Sequence, residues 1–296
     1  SSAQALRDNN FAIGSQARAN GEDALAFGNG AYAENTATVA IGKTVKATEE
    51  GALAIGFNTE ATARDAIAIG GNVKEPGDIL ATQKTTASGR QSIALGYKAN
   101  SKGVSGISIG TNAYSEGRGA VSIGSWSIAS GDGATAVGGG HARADRAVVV
   151  GSGNADGKES VSVGSYSRVY AEGAVGIGRN VFIDDSATDS VVIGSASDTI
   201  TKKNVTAIGS NTYSEVENSV ALGTMARADE VVSTSSANIA GKTYNFAGKT
   251  ADGTVSIGGK IISGYETDRY GMNIFDANGT MLNIVDKIEY SHITNV

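Results

Sequence analysis

The chain has 296 residues, with 41 glycines, a single proline at Pro76 and no cysteine. Collagen and proline-rich disorder are thereby excluded, as are a disulfide framework, a thiolate metal site and a cysteine nucleophile. A formal net charge of −6 with both signs interspersed excludes the basic face that a nucleic-acid binder needs, and no run reaches the roughly 18 apolar residues of a membrane helix.

In chain order, the first pattern is Phe11-Ala12-Ile13-Gly14. Leu25-Ala26-Phe27-Gly28, Val39-Ala40-Ile41-Gly42, Leu53-Ala54-Ile55-Gly56 and Ile67-Ala68-Ile69-Gly70 follow at intervals of 14. The anchor glycines continue at Gly96, Gly110, Gly124, Gly138, Gly151, Gly164, Gly178, Gly194, Gly209 and Gly223. Nine of the fourteen intervals are 14 residues. A fixed short period is the mark of a solenoid and overrides a globular reading of the length. The 26-residue gap from Gly70 to Gly96 is read as hiding one degenerate coil, with Ile79-Leu80-Ala81-Thr82 in the tetrapeptide slot.

Two alternating runs make up each coil. Before the glycine a small residue sits between two large aliphatics, as in Val39-Ala40-Ile41. After it come two small residues flanking a polar or bulky one, as in Ala31-Tyr32-Ala33. Period-two alternation predicts short strands with two distinct faces, and the glycine is the corner between them. The residue between the two small positions is predicted to face outward: Arg18, Tyr32, Lys46, Glu60, Asn100, Tyr114, Arg168 and Arg227. About sixteen coils stacked at about 4.8 Å predict a rod roughly 75 Å long.

The middle residue of the first run is small in nearly every coil: Ala12, Ala26, Ala40, Ala54, Ala68, Ala94, Ser108 and Ser122. This column is read as a surface where a second copy of the chain approaches closely. Around residues 138–209 the intervals become 13, 13, 16 and 15, which requires altered turns. The shifted run from Gly139 to Ala144 is read as a local bulge.

Val-Ala-Ile-Gly followed by a small-x-small strand resembles the head repeats of trimeric autotransporter adhesins, of which YadA is the prototype. The resemblance covers roughly residues 8–230. It implies an all-β fold, a left-handed parallel β-roll assembled as a homotrimer. It also implies display on a Gram-negative outer membrane through a C-terminal anchor that is absent from this chain. Thr254-Val255-Ser256-Ile257-Gly258 resembles the last head-type strand, and Ile293-Thr294-Asn295-Val296 the start of that family's neck. The organisation expected is head repeats over 1–230, the last head-type strand and approach to the neck over 231–258, a β-rich insertion over 259–292, and the neck from 293. Within the insertion, the segments 271–276 and 280–285 around Ala277-Asn278-Gly279 predict a β-hairpin.

No catalytic constellation, cofactor site or metal site is legible. His141 and His292 are far apart and occupy unrelated slots, so each is read as structural or solvated. Asp184, Asp185 and Asp189 cluster at one wide turn and are read as a solvated loop. The run 151–157 lacks the Gly-Lys-Ser/Thr ending of a phosphate loop. Left-handed β-helix acyltransferases use a hexapeptide period and a catalytic histidine, and the period here is different.

Contact residues for a ligand are expected to be exposed and aromatic. Tyr97, Tyr114, Trp126 and Ile128 lie on three consecutive coils and form the first candidate patch; Tyr166, Tyr170 and Phe182 form a second. The loop around Pro76 (72–78) and the segment 265–285 are further candidates, the latter read as a collar at the neck. The function expected from the resemblance is non-enzymatic attachment of a cell-surface head. The partners it implies are a host receptor of the CEACAM type or a matrix protein such as collagen, fibronectin or laminin, besides the chain itself. A passive spacer or trimer-forming module, or autoaggregation between bacteria, is the alternative.

Overall fold

A computed structural model describes residues 2–71, 84–195, 199–245, 250–258 and 291–292. All regular structure among them is β-strand. The strands form two parallel ladders, one of three- to five-residue strands along the whole roll and one of two-residue strands that is continuous from Gln4–Ala5 to Phe182–Ile183 and resumes as the pair Tyr213–Ser214 and Arg227–Ala228. In the long-strand sheet, Val39–Ile41 pairs with Leu25–Phe27 on one side and Leu53–Phe57 on the other, residue for residue in the repeat. In the short-strand sheet, Lys46–Ala47 pairs likewise with Tyr32–Ala33 and Glu60–Ala61. A step of one coil is therefore a step of one hydrogen-bonded strand, as the period predicts.

The interior is thin, and in the regular coils small side chains fill it. In the coil around Gly42 the inward positions are Thr38, Ala40, Val45 and Ala47, all without exposed surface. The outward neighbours Arg18, Tyr32, Lys46 and Glu60 of the short-strand sheet face solvent as expected, each followed by a buried small residue. The long-strand sheet is the reverse of the expectation. Ala26, Ala40, Ala54, Ala68, Ala94, Ser108 and Ser122 are wholly buried inside the single chain, and Ala12 packs partly buried at the end coil. They cannot meet a second copy. Their large neighbours point outward instead: Phe27 is 49% exposed and Ile123 37%. In the regular coils two sheets separated by a layer of methyl groups leave no room for isoleucine in this slot, so the aliphatics form the outer face and the alanines the core.

Most of the anchor glycines are required twice over. Gly42 has φ +134°, and a Cβ there would lie 2.0 Å from the carbonyl oxygen of Gly56 in the next coil. Corner residues two positions after the anchor also take positive φ, as at Thr44 and Asn58, a conformation that asparagine and glycine adopt most readily.

The spacing departures resolve in three different ways. Ile67–Gly71 pairs directly with Ile93–Leu95, and Glu60–Ala61 directly with Thr86–Ala87. No strand stands between them, so the degenerate coil expected at 79–82 is not a rung of the ladder; residues 72–83, with the loop around Pro76, lie outside the described residues. The fifteen glycines named above mark fifteen turns, roughly 70 Å of roll at about 4.8 Å per step. The 13-residue interval after Gly138 is not a bulge. His141–Ala142 stays in register with Ile128–Ala129 and Asn154–Ala155, and only the corner is one residue shorter. Finally, in the 35 residues from Gly223 to Gly258 the short strand Arg227–Ala228 pairs with Tyr213–Ser214, and no rung of the long-strand sheet intervenes before Val255–Ile257, which pairs directly with Val220–Leu222.

The last head-type strand anticipated at 254–258 is thus the next parallel rung. Ser291–His292 then adds to it antiparallel. The sequence reading missed a hairpin, Ser236–Ile239 with Lys242–Asn245. Its turn residues Ala240 and Gly241 both have positive φ, the geometry of a two-residue hairpin turn. The hairpin expected at 271–285, the segment 265–270 and the neck at 293–296 lie outside the described residues.

Candidate functional site

On the outer face of the short-strand sheet a groove of about 700 Å³ crosses the strands between Glu60 and His141. Its floor is made by outward slots on successive rungs: Glu60, Thr86, Asn100, Tyr114, Ile128 and His141. Five steps of about 4.8 Å make it roughly 24 Å long. Lys84, Lys98, Lys102, Asn112 and Trp126 complete the walls.

Three of the four residues of the first candidate patch come together here. Tyr114 and Ile128 are register partners on adjacent strands, and Trp126 stands at the corner beside them, 58% exposed. Tyr97 does not line the groove; its ring lies beneath Lys98, whose Nζ is 4.9 Å from the ring centroid. The second candidate patch divides. Tyr170 and Phe182 meet edge to face at 5.4 Å between centroids, while Tyr166 projects from its corner, 65% exposed.

The polar half of the groove was not anticipated. Lys102 Nζ donates to the Tyr114 hydroxyl at 2.9 Å and lies 4.9 Å from that ring's centroid. The hydrogen bond to Tyr114 raises the Lys102 pKa, against an opposing effect of burial. Lys84 pairs with Glu60 at 2.5 Å, and Lys46 approaches the same carboxylate at 3.8 Å. His141, read from sequence as structural or solvated, stands at the groove's end. Arg143 Nη2 lies 2.6 Å from its Nδ1. Burial, then the Arg143 charge, push its pKa below the ordinary histidine value. The outward slot of the repeat was the signal available in the sequence, since every floor residue occupies it.

Trp126 has φ +63°. The same corner slot holds Asn112 one coil earlier and Asn58, Asn180 and Asn211 elsewhere, all in the same conformation. A tryptophan there carries backbone strain that asparagine avoids, and Thr44, Tyr166 and Met225 carry it in the same slot of other coils. Among the described residues, no group of three His, Cys, Asp or Glu side chains is placed to hold a metal ion. At the 184–189 turn, Asp184 accepts hydrogen bonds from the Ser186 amide and hydroxyl, which lower its pKa.

The YadA head domain repeat, in its two-copy form, matches residues 11–31, 19–43, 47–72, 87–113, 115–140 and 201–226. No curated protein matches the chain. The matched stretches are the regular coils described above, on both sides of the irregular segment, and the fold and family are those of adhesins rather than enzymes. The chain is a YadA-like head, of the kind carried by the surface-exposed trimeric autotransporter adhesins.

Proposed function

We propose that this chain is the head of a homotrimeric bacterial adhesin, held at a Gram-negative outer membrane by a C-terminal anchor and binding a host cell-surface receptor or matrix protein. The repeated match to the YadA head repeat carries this reading. Two features support it. The long-strand sheet presents outward columns of Val, Leu, Ile and Phe from Phe11–Ile13 to Val255–Ile257. An apolar face of that extent favours association, and its natural partner is the same face on another copy. The opposite face carries the aromatic groove and is left open by that packing. Three identical rods convert modest single-site affinities into durable attachment through effective concentration.

The assembly is tested by sedimentation of the segment fused to a trimeric coiled coil and of the segment alone. Ile123→Asp with Ile177→Asp is expected to weaken self-association of the unfused segment. A wild-type segment that stays a folded monomer at high concentration overturns the assembly. Adhesion is tested by applying the fused trimer to collagen, fibronectin, laminin, CEACAM-type receptors and whole host cells. Selective, saturable binding is expected. Silence across the panel with the trimer intact favours a spacer, and binding only to the parent bacterium favours autoaggregation.

A further inference from the structure

The groove on the short-strand sheet has a chemistry that narrows its ligand. We propose that it binds an acidic saccharide, a sugar chain bearing carboxylate or sulfate groups; this rests on the adhesin reading and assigns the ligand class of the same site. Four observations converge on it.

The backbone of the floor is closed to peptide pairing. From Glu60–Ala61 to His141–Ala142, every strand is hydrogen-bonded to a neighbour on both sides. An extended peptide binds a sheet by adding to a free edge, and no such edge lies in the groove. Recognition must come from side chains on a rigid floor, which lowers the ordering cost of binding.

The side chains match a sugar ring on both its surfaces. Trp126 and Tyr114 offer apolar faces for the C–H face of a pyranose. Asn100, Asn112 and Thr86 offer both donors and acceptors, as ring hydroxyls require. The Asn100 Oδ1 is covered and has no hydrogen-bond partner. Turning that carboxamide towards a ligand hydroxyl breaks no protein hydrogen bond at that atom.

Charge selects an acidic sugar over a neutral one. Lys84 and Lys102 line the groove against one carboxylate, Glu60, which Lys84 and Lys46 both engage. The excess is positive on a chain whose net charge is −6. A local reversal of sign steers an anion to that site.

The strain at Trp126 belongs to this picture. An exposed aromatic is kept in a left-handed corner where the neighbouring coil has asparagine, and the groove is what it lines.

The test measures binding of the coiled-coil-fused trimer to four immobilised probes: a sialylated oligosaccharide, a sulfated oligosaccharide, a neutral oligosaccharide of equal length, and polyglutamate. At least one acidic sugar is expected to bind, with affinity falling as salt rises. The neutral sugar is expected to bind about tenfold more weakly or worse, and polyglutamate likewise. Which acidic sugar is retained distinguishes carboxylate from sulfate. Trp126→Asn is expected to cost roughly tenfold, and Lys102→Gln to weaken the acidic sugar and reduce its salt dependence. Trp126→Asn suits its corner and keeps the fold. Met225→Asn, at the equivalent corner far from the groove, is the control and is expected to bind as wild type. Equal binding of the neutral sugar or of polyglutamate, or wild-type binding by Trp126→Asn and Lys102→Gln, overturns the assignment. Binding to host cells and matrix proteins measured in parallel separates the two readings: cells or matrix bound without any acidic sugar refutes the saccharide alone, and none of them bound refutes both.

Discussion

The coils between Phe11 and Gly138 and those between Val148 and Ile208 hang on the same two ladders but fill their interiors differently. In the first stretch the buried slots hold small residues, mostly alanine, serine and threonine, with Val45 the one larger buried aliphatic. In the second, alanine and serine share them with Val149, Val169, Val181, Ile183, Val192, Ile200 and Val205. The coil length varies between 13 and 16 residues only around the second stretch. Larger residues enter where something else gives way. A Cβ on Gly140 would lie 2.3 Å from Val149 Cγ1. One on Gly176, which takes the slot of Ala40, would lie 2.7 Å from Val169 Cγ2 and 3.0 Å from Val181 Cγ1. Interior volume is therefore balanced between neighbouring slots, and the ladder fixes how much there is. The serine-rich coils obey the same rule by hydrogen bonding: the Ser108 and Ser115 hydroxyls meet at 2.8 Å, and those of Ser101 and Ser115 at 2.9 Å.

The largest expected effect comes from breaking what both stretches share. Gly56→Ala places a Cβ 1.5 Å from the Gly70 carbonyl oxygen at φ +129°. It is expected to cost more than about 3 kcal/mol, combining strain with displacement of the next coil. Because coils in a solenoid contact only their neighbours, amide exchange is expected to rise most in the coils flanking Gly56. Uniform exchange with an unchanged melting temperature would mean that the glycine stack does not hold the coils together.

Next in size is the exchange of volume itself. Gly176→Ala is expected to destabilise by about 1–3 kcal/mol through overpacking. Val169→Ala is destabilising on its own through the cavity it leaves. Combined, the two are expected to cost less than the sum of the singles, a coupling that a double-mutant cycle reads directly. Ala40→Val in the regular stretch has no facing glycine of this kind and should cost about as much as Gly176→Ala. Additive behaviour at 169 and 176 would break the volume argument.

A smaller effect tests whether the corners behave alike in both stretches. Trp126 belongs to the first and Tyr166 to the second, and both hold positive φ. Trp126→Asn and Tyr166→Asn are each expected to raise stability by up to about 1 kcal/mol, measured by thermal unfolding. A loss at 126 alone would show that the indole supports the fold, and its strain would then need no ligand to explain it.

The repeat, the two strands per coil and the outward slots of the short-strand sheet were legible because period two and the anchor glycine report local geometry. Which face of the long-strand sheet points inward was not. Alternation separates Ala40 from Val39 and Ile41 but does not say which set is buried, and burial of large apolar area favours the aliphatics. The deciding quantity is the spacing between the two sheets, which no single strand encodes. The clue lay in the short-strand run: Ala31 and Ala33 face inward, so whatever opposes them across the same thin interior must also be small. The additional coil at 79–82 failed for a related reason. Counting residues cannot distinguish a rung from an insertion, and only the direct pairing of Ile67 with Ile93 does. The groove was half legible. Its aromatics stood out against small polar residues, whereas its lysines and amides looked like ordinary surface until the register stacked them along one wall.

The smallest effect concerns His141, in the first of the short coils. Its Nδ1 accepts from Arg143, and its pKa lies below the ordinary value because burial, and then the Arg143 charge, disfavour the cation. Between the unfolded value of about 6.5 and the lower folded value, the unfolded chain binds a proton that the folded chain does not. Stability attributable to this residue is therefore complete above about pH 7, declines as pH falls through 6.5, and levels off below the folded pKa. His141→Asn places at 141 the residue that Asn154 supplies one coil later, in the same outward slot, and is expected to remove that part of the pH dependence. The decline should be modest, since the ring is only partly buried. It should also be confined to the short coils, so that amide protection relative to the intrinsic exchange rate falls at 135–155 between pH 7 and pH 5 while protection at 25–47 does not. Equal changes in both stretches would place the titrating group elsewhere, and the short corner after Gly138 would then have no electrostatic consequence.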